Sequence, residues 1–231
     1  MNVLITGAGR GLGLDLARIH ARRGDHVYAL AHSLTEELGE TASTHGNITV
    51  FTVELTDDDA VRTILEGIKE ASVDTVYNVA GIWYPDQRTG IADTDLDKMA
   101  KLYRVNAIAP VRVMKYGKRL LKDGGILLNV SSEAGSIGEC WRDNDYGYCM
   151  SKAALNMASM IFQNETRERG IRVYCYHPGW MRTRMGGERA AASPESISPE
   201  EAAEALVSLL YEENEKISGM FFDYRNKKWE W

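Results

Sequence analysis

Short apolar runs alternate with longer amphipathic stretches along the whole 231-residue chain. Seven of these runs are β-branched or apolar, and several are hydrophobic at nearly every position, which is typical of strands covered on both faces. We predict the strands at Val3–Thr6, His26–Ala31, Ile48–Val53, Thr75–Val79, Ile126–Val130, Ile171–Tyr176 and Met220–Phe222. Helical periodicity predicts helices over residues 11–23, 34–44, 57–71, 95–121, 148–169 and 199–211.

This alternation predicts an α/β fold in a single domain over residues 1–231. We expect a three-layer, doubly wound Rossmann fold, in which right-handed crossovers build a seven-stranded parallel sheet with helices on both faces. Residues 178–198 are rich in Gly, Arg, Ala and Ser and follow the sixth strand. Open α/β sheets bind ligands at the carboxyl ends of their strands, so we predict that this segment is a mobile loop over the substrate.

The composition is that of an ordinary globular protein, with 44% hydrophobic and 26% charged residues. A net charge of −6 disfavours nucleic acid as a partner, and every apolar run is shorter than the roughly 18 residues that a membrane span needs. Cys140, Cys149 and Cys175 form neither a zinc-binding pattern nor a disulfide framework. The chain opens with a strand and a glycine loop, unlike a signal peptide. We therefore expect a cytoplasmic protein without a metal.

A glycine-rich loop joins the first predicted strand to the first predicted helix. Glycines at such a junction allow a tight turn and close approach of a pyrophosphate, which then lies at the positive end of the helix. The loop has the spacing Gly-x3-Gly-x-Gly, which differs from the common dinucleotide fingerprint. Its residues with candidate roles are Thr6, Gly7, Gly9, Arg10, Gly11, Leu12 and Gly13. The loop predicts a dinucleotide cofactor.

The end of the second strand bears on which dinucleotide is bound. Enzymes that prefer NAD place a carboxylate there for the ribose 2′-hydroxyl, but this strand ends in His32 and Ser33. Asp25 precedes the strand and Glu36 lies in the next helix, so neither is well placed. Arg10, His32 and Ser33 can instead face a 2′-phosphate, since arginine suits phosphate. NADP(H) is favoured, and NAD(H) is the alternative.

Tyr148 and Lys152 stand four residues apart at the start of a predicted helix and therefore share a face. An ammonium about 4 Å from the phenol would favour the phenolate by up to about 4 kcal/mol at an effective dielectric near 20. We therefore expect the pKa of Tyr148 to fall toward neutrality, which would make it a usable acid or base. Ser131 and Ser132 close the fifth strand, where a hydroxyl can polarise a substrate carbonyl.

Asn106 lies inside a predicted helix, four residues before Pro110. Asparagine is a poor helix former, and Pro110 lacks the N–H group that would bond back to Asn106. The freed carbonyl of Asn106, or its side chain, can hold a water molecule. A simple proline kink is the alternative interpretation.

These features occur together in one order along nearly the whole chain, and the sequence thereby resembles the short-chain dehydrogenase/reductase family. The motifs are TGAGRGLG, NVAG at Asn78–Gly81, Asn106, Ser131-Ser132, YCMSK at Tyr148–Lys152, and Pro178-Gly179 followed by Thr183. The run His177-Pro178-Gly179-Trp180 and the closing Trp231 are most similar to the compact carbonyl reductases of the C-factor and sniffer type.

The resemblance implies a role for each matching residue. Tyr148 would donate the proton to a carbonyl and accept it from an alcohol, Lys152 would lower the pKa of Tyr148 and bind ribose hydroxyls, and Ser132 would polarise the carbonyl. Asn106 would anchor a water molecule that connects Lys152 to solvent. The cofactor contacts implied in the same way are Glu54 and Leu55 near the adenine, Asn78, Ala80 and Gly81 at the adenosine, and Pro178, Gly179 and Thr183 at the carboxamide.

The function implied by the resemblance is NADP(H)-dependent hydride transfer between nicotinamide C4 and a ketone, an aldehyde or a secondary alcohol. An NAD-dependent alcohol or hydroxysteroid dehydrogenase and a non-catalytic nucleotide sensor are the alternatives. A complete set of Ser132, Tyr148 and Lys152 favours a catalyst. Relatives pair through the helices predicted at 95–121 and 148–169, so a homodimer or homotetramer is expected. The extra segment Glu139–Asp145 is expected to line the pocket mouth.

Overall fold

The computed structural model describes residues 1–212 and 216–231. Its seven strands are all parallel and form one sheet in the order β3-β2-β1-β4-β5-β6-β7. The strands are β1 Asn2–Thr6, β2 His26–Ala31, β3 Ile48–Thr52, β4 Val73–Asn78, β5 Leu121–Val130, β6 Arg172–His177 and β7 Phe221–Asp223. The predicted fold class and strand count are confirmed.

Helices cover both faces of the sheet. They are α1 Gly11–Arg22, α2 Glu36–His45, α3 Asp58–Gly67, α4 Leu96–Tyr103, α5 Ala109–Gly117, α6 Tyr146–Glu165, α7 Gly187–Ala192 and α8 Pro199–Tyr211. One core lies beneath α1 and α8, where Leu14 and Leu206 are buried. The second core lies beneath α3, α5 and α6, where Val61, Val113 and Leu155 are buried. This three-layer arrangement leaves the two ends of the sheet open for loops.

The predicted helix over residues 95–121 is the largest departure from expectation. The structure divides it into α4 and α5, which are joined by a π-helical turn at Arg104–Ile108. Pro110 removes an N–H from the hydrogen-bonding ladder, and the wider turn accommodates that loss. The helix also ends at Gly117, because β5 already begins at Leu121. The end of the helix predicted at 57–71 is likewise too late, since α3 stops at Gly67.

Residues 178–198 fold back on themselves after β6. Backbone hydrogen bonds of 3.0 and 2.9 Å run from Ile197 N to Trp180 O and from Arg182 N to Ile197 O. The short helix α7 lies within this segment, which the sequence predicts to be a mobile loop over the substrate.

The last residues of the chain fold onto the segment that follows β5. The Trp231 carbonyl accepts a 2.7 Å hydrogen bond from Gly138 N, and the Glu230 carbonyl accepts one of 2.7 Å from the Ser136 hydroxyl. Lys227 also lies 2.8 Å from a carboxylate oxygen of Glu139. These contacts brace the segment that leads to α6.

The strand order reverses between β1 and β4. Crevices form beyond the carboxyl ends of strands at such a point, and ligands of doubly wound folds bind there. The structure therefore offers a ligand site where the glycine loop, the turn after β4 and the turn after β5 converge. None of the helices in the described chain is long and apolar enough to cross a membrane.

Candidate active site

The glycine loop is packed so tightly that its glycines have little freedom to change. Gly7 has φ of +69°, and a Cβ atom there would lie 2.9 Å from the backbone of Ala80. A Cβ at Gly13 would lie 2.4 Å from the Gly7 carbonyl oxygen. The loop therefore closes directly against the first turn of α1, in which Leu12 is buried.

The start of α1 fits an anionic ligand. Its first turn consists of glycine and leucine residues, and within the described chain no side chain caps it at Arg10. The first N–H groups of a helix carry partial positive charge and need an acceptor. The residues present thus fit a cofactor pyrophosphate, which would approach the backbone beside Gly9 and Gly11.

The residues predicted to face a 2′-phosphate are all exposed beside this loop. Arg10, His32 and Ser33 are solvent-accessible, and His32 Nε2 lies 3.4 Å from a Glu54 carboxylate oxygen. Asp25 is at the opposite, amino-terminal end of β2, where its carboxylate pairs with the buried His20 at 2.8 Å. Its burial explains why Asp25 cannot serve as the ribose carboxylate.

Thr6 holds the turn after β4. Its hydroxyl oxygen accepts hydrogen bonds from the backbone N–H groups of Val79 at 3.0 Å and Ala80 at 3.2 Å. The side chain of Asn78 is buried and donates to Asn129 Oδ1 at 2.8 Å. Asn78 thus serves the sheet with its side chain, and Ala80 and Gly81 form the accessible part of this turn.

Two glycine contacts fix the position of the catalytic helix α6. A Cβ at Gly147 would lie 3.1 Å from Met99 Cα on α4, and a Cβ at Gly135 would lie 2.8 Å from the Lys152 carbonyl carbon. These close approaches set Tyr148 beside the turn after β5. Tyr148 is half-buried, while Ser132 and Lys152 are buried.

Lys152 lies on the same helix face as Tyr148, as the spacing predicted. Its Nζ atom lies 5.7 Å from the centre of the Tyr148 ring and donates a 2.8 Å hydrogen bond to the Val130 carbonyl. Burial lowers the pKa of Lys152 to about 8. Tyr148 and Lys152 therefore lie side by side, but the Lys152 ammonium donates its hydrogen bond to the backbone carbonyl of Val130.

The expected fall in the pKa of Tyr148 is wrong for this structure. Burial raises the pKa of Tyr148 well above its usual value, and the negative charge of Glu133 adds to the rise. A hydrogen bond with Ser132 opposes it. The phenol is therefore held in its protonated form, which is the form that donates a proton.

The two serines of the motif have different roles. The Ser131 hydroxyl donates a 2.6 Å hydrogen bond to Asn156 Oδ1 inside the core. The Ser132 hydroxyl donates to a Glu133 carboxylate oxygen at 2.5 Å and accepts from Ala134 N at 3.2 Å. The choice of Ser132 as the candidate catalytic serine agrees with this geometry, since Ser132 is the one associated with Tyr148.

The side chain of Asn106 is held in place by three hydrogen bonds. Its Oδ1 accepts from Ile82 N at 2.8 Å, and its Nδ2 donates to Ile82 O at 2.9 Å and to the Ser151 hydroxyl at 3.1 Å. Both Nδ2 hydrogens are thus used, so the backbone carbonyl and the second lone pair of Oδ1 are what Asn106 has left for the water molecule considered above. A Cβ on Gly81 would lie 3.3 Å from Asn106 Oδ1 and 3.7 Å from Lys152 Nζ, so the three residues are neighbours.

The other implied contacts surround the same crevice. Pro178 is buried, and Gly179 has φ of +81° with Tyr224 packed against it. A side chain at Gly11 would begin 3.4 Å from the Thr183 methyl group, so the segment after β6 reaches the glycine loop. Leu55 contributes its carbonyl to Arg112 at 2.7 Å.

Comparisons with known proteins agree with this site. The family model for short chain dehydrogenases matches residues 1–194. The chain belongs to that family. Its relatives include the C-signal protein of Myxococcus xanthus, which is 30% identical over 177 residues, covering 74% of this chain and 100% of that protein.

Solved structures also resemble this short-chain dehydrogenase. A carbonyl reductase from Pseudomonas aeruginosa PAO1 in complex with NADP is 34% identical, with a TM-score of 0.80 over 100% of this chain and 99% of that one. The carbonyl reductase Sniffer of Drosophila melanogaster is 25% identical, with a TM-score of 0.88 and the same coverage. The predicted resemblance to carbonyl reductases of this type is confirmed.

Sequence reasoning missed a charged cluster of this short-chain dehydrogenase beside Ser132. The Glu133 carboxylate binds the Arg142 guanidinium and lies 3.6 Å from His177 Nδ1. Arg142 is also 3.9 Å from the buried Asp145, which accepts a 3.0 Å hydrogen bond from Trp83 Nε1. An acidic residue directly after the two serines was the available signal.

The segment Glu139–Asp145 joins the turn after β5 to the start of α6, and that it lines the pocket mouth stays a prediction. Its Arg142 pairs with Glu133 and with the buried Asp145, and its Trp141 is exposed to solvent. Residues 1–212 and 216–231 contain no group of three His, Cys, Asp or Glu side chains that could hold a metal ion.

Proposed function

We propose that this short-chain dehydrogenase reduces a ketone or an aldehyde with NADPH, with Tyr148 as the proton donor. The observation that carries the proposal is the Tyr148 hydroxyl, held protonated beside Ser132 at the sheet end where the glycine loop lies. Protonation suits Tyr148 to donate rather than to accept. The reaction is reversible in principle, since the same residue can take a proton from a secondary alcohol once it is ionised.

Tyr148, Ser132 and Lys152 each have a separate role in the reaction. When bound, the nicotinamide supplies the hydride for the carbonyl carbon. Tyr148 donates its proton to the carbonyl oxygen, and the Ser132 hydroxyl polarises that oxygen after its hydrogen leaves Glu133. Lys152 lies one helical turn beyond Tyr148 and stabilises the phenolate that remains. The buried positions of Ser132 and Lys152 keep bulk water from these groups.

The cofactor would be held along the crevice at the sheet ends. The glycine loop and the first turn of α1 would bind its pyrophosphate, and Thr183, with Pro178 and Gly179, would meet the carboxamide. Arg10, His32 and Ser33 support NADP(H) over NAD(H), because they are exposed where a 2′-phosphate would lie. The bound NADP of the Pseudomonas aeruginosa relative supports the same choice.

The substrate entrance has an aromatic rim. Trp141, Tyr146, Trp180 and Met185 are all exposed. Exposed aromatic and thioether side chains at a crevice suit an apolar organic carbonyl compound.

A carbonyl panel tests the proposal. We expect loss of NADPH absorbance that depends on a ketone or an aldehyde, and we expect Tyr148→Phe to reduce kcat/KM about 100- to 10,000-fold because the general acid is removed. Tyr28→Phe is the matched control, since Tyr28 is a half-buried tyrosine on β2. Cofactor binding without turnover on any carbonyl would point to a nucleotide sensor, and an unchanged rate for Tyr148→Phe would remove Tyr148 from the mechanism.

We also propose that two copies associate through α5 and α6. Val111, Met157 and Ile161 are 43%, 63% and 59% exposed on these helices. The groove between the helices is lined by Val111, Met114, Lys115, Lys118, Ala158, Ile161, Phe162 and Glu165. The Lys118 ammonium and the Glu165 carboxylate at its rim already pair at 2.6 Å within one chain. An apolar face with internally paired charges suits a second copy of itself.

We place the enzyme in the cytoplasm. Cys140, Cys149 and Cys175 are free thiols that range from exposed to buried, as is usual in a reducing compartment. Cell fractionation checks this, and recovery in a secreted or periplasmic fraction would contradict it.

A further inference from the structure

Trp83 lies on the turn after β4 and is held through both its neighbouring backbone and its side chain. The preceding residue, Ile82, exchanges two hydrogen bonds with the buried side chain of Asn106, at 2.8 and 2.9 Å. The Trp83 indole Nε1 donates a 3.0 Å hydrogen bond to a carboxylate oxygen of Asp145. Trp83 is half-buried, so part of its side chain remains accessible. The turn thus presents a large aromatic ring whose orientation is fixed at two points.

Asp145 stands immediately before α6 in a backbone conformation that few residues adopt. Its φ and ψ are +63° and +39°, in the left-handed region that is unfavourable for most residues and that Asn and Asp enter more readily than others. An aspartate at the start of a helix ordinarily caps the first N–H groups, but within the described chain the Asp145 side chain makes no such bond. Its buried carboxylate instead accepts from Trp83 and lies 3.9 Å from Arg142.

Asp145, Tyr148 and Lys152 form one stripe along α6. Their spacing of three and then four residues places them above one another on the same side of the helix. The Asp145 carbonyl accepts a 3.1 Å hydrogen bond from Cys149 N, so the stripe begins at the first turn. Tyr148 therefore lies about one helical turn from Asp145 and about one from Lys152.

The turn after β4 runs along this stripe in the opposite direction. A Cβ atom on Gly81 would lie 3.7 Å from Lys152 Nζ. Two residues further along the turn, Trp83 reaches Asp145. Tyr148 thus lies between these two contacts. A substrate carbonyl beside Tyr148 would have the cofactor on the Lys152 side and the indole on the other side.

We propose that Trp83 is a specificity-determining residue whose ring forms one wall of the substrate pocket beside Tyr148, and that Asp145 is its positioning residue. A flat ring packs well against another flat ring, since offset and edge-to-face aromatic pairs are stabilised beyond the burial of their apolar area. The site therefore favours carbonyl compounds with an aromatic ring on the carbonyl carbon over those with a saturated ring. This selectivity rests on the proposed function, but binding of the aromatic ring beside Trp83 is measurable without turnover.

Two ketones of similar size test the selectivity. Acetophenone carries a flat phenyl ring, and cyclohexyl methyl ketone carries a puckered ring with the same number of carbon atoms. We expect Trp83→Ala to lower the ratio of kcat/KM for acetophenone to kcat/KM for cyclohexyl methyl ketone about tenfold. Damage to the fold would lower both values together and leave their ratio as it was. An unchanged ratio in a folded Trp83→Ala variant would overturn the proposal.

Variants of Asp145 separate its side chain from its backbone conformation. Asp145→Gly keeps the left-handed conformation but removes the acceptor for the indole, so we expect it to lower the same ratio about threefold. Asp145→Asn keeps the conformation and a side-chain oxygen that can accept from Trp83, so it should restore the ratio to within about twofold of the wild-type value. An unchanged ratio for Asp145→Gly, or equal losses for the two variants, would remove Asp145 as the positioning residue.

Asn226→Gly is the matched control for Asp145→Gly. Asn226 is also left-handed, with φ of +60°, and its side chain also makes hydrogen bonds, to Lys216 O at 2.7 Å and Ser218 N at 2.9 Å. Its replacement removes a comparable set of contacts away from the stripe and should leave the ratio of the two ketones unchanged. A loss equal to that of Asp145→Gly would show that the ratio reports general damage and would overturn the assignment.

Binding of acetophenone to the complex with NADP⁺ needs no turnover. Isothermal titration calorimetry should show about tenfold weaker binding to Trp83→Ala than to the unmodified protein. Trp83→Phe, which keeps a ring but cannot donate to Asp145, should give an intermediate affinity and provides the test if Trp83→Ala fails to fold. If acetophenone binding depends on Trp83 but neither ketone is reduced, the proposed function fails and the aromatic wall stands. Equal affinities, or no binding to the unmodified protein, would overturn the aromatic wall even if both ketones are reduced.

Discussion

Arg10 is the residue on which we propose that cofactor discrimination depends most directly. It is exposed at the start of α1, next to backbone that suits a pyrophosphate, and arginine forms strong charge-assisted hydrogen bonds with phosphate. We expect Arg10→Gln to weaken NADPH binding about tenfold or more, in line with the roughly 1.5–3 kcal/mol of a charged hydrogen bond, while NADH binding stays within twofold. Quenching of tryptophan fluorescence measures both affinities.

The control for this prediction is Arg62→Gln, which removes an exposed arginine that pairs with Asp59 on α3. It should leave both affinities unchanged. Equal affinity of the unmodified enzyme for NADPH and NADH would show that Arg10 contacts no 2′-phosphate.

Sequence spacing located the side chains of the site better than it predicted their protonation. Tyr148 and Lys152 share a helix face because the helical repeat requires it, and the structure confirms that placement. The pKa of Tyr148 depends instead on burial and on Glu133, which comes from another element. No local pattern reports such a charge, so the prediction from spacing had the wrong direction for the pKa of Tyr148.

At the scale of elements, the π-helical turn between α4 and α5 aims Asn106 at the turn after β4. The side chain satisfies both backbone groups of Ile82 and is fully buried. Asn106→Ala would leave these partly buried backbone groups without partners, at about 1–3 kcal/mol each. We expect the free energy of unfolding to fall by about 2–4 kcal/mol, as measured by urea denaturation.

Asn164→Ala is the matched control for that substitution. Asn164 is an exposed residue of α6 whose side chain accepts a 2.9 Å hydrogen bond from Arg167. Its replacement should change the free energy of unfolding by less than about 0.5 kcal/mol. Equal losses for the two variants would mean that the Ile82 contacts contribute little.

The division of the predicted helix at 95–121 shows what periodicity can establish. The apolar pattern located the helical region correctly, and Pro110 marked a disturbance within it. Whether the helix kinks or widens at that point depends on the hydrogen-bond partners of Asn106. These partners, Ile82 and Ser151, are distant in sequence. The pattern along one helix therefore could not decide between a kink and a wider turn.

For the whole molecule, the exposed face of α5 and α6 predicts self-association. We expect Ile161→Asp to convert a dimer to a monomer, because a carboxylate would be buried at the centre of the apolar face. Light scattering after size-exclusion chromatography measures the molar mass. Leu34→Asp, at another apolar residue that is 60% exposed, is the control and should leave the dimer intact. A monomeric unmodified enzyme would rule out the interface.

The parallel, doubly wound sheet followed from general rules, since alternating strands and helices build such a sheet. Those rules placed Thr6 and Ser132 at the carboxyl ends of their strands, and the family resemblance placed Thr183 near them, as the structure shows. They could not place the last residues of the chain, because the contacts of Glu230 and Trp231 with Ser136 and Gly138 join segments about a hundred residues apart and follow no periodicity.

That brace from the carboxyl-terminal residues has a practical consequence for engineering the catalyst. Lys227, Glu230 and Trp231 contact Glu139, Ser136 and Gly138, which lie between the candidate catalytic serine and the exposed Trp141. Mutant libraries intended to broaden the substrate range should therefore randomise residues 227–231 together with 139–145, because the contacts between the two segments determine how 139–145 is positioned.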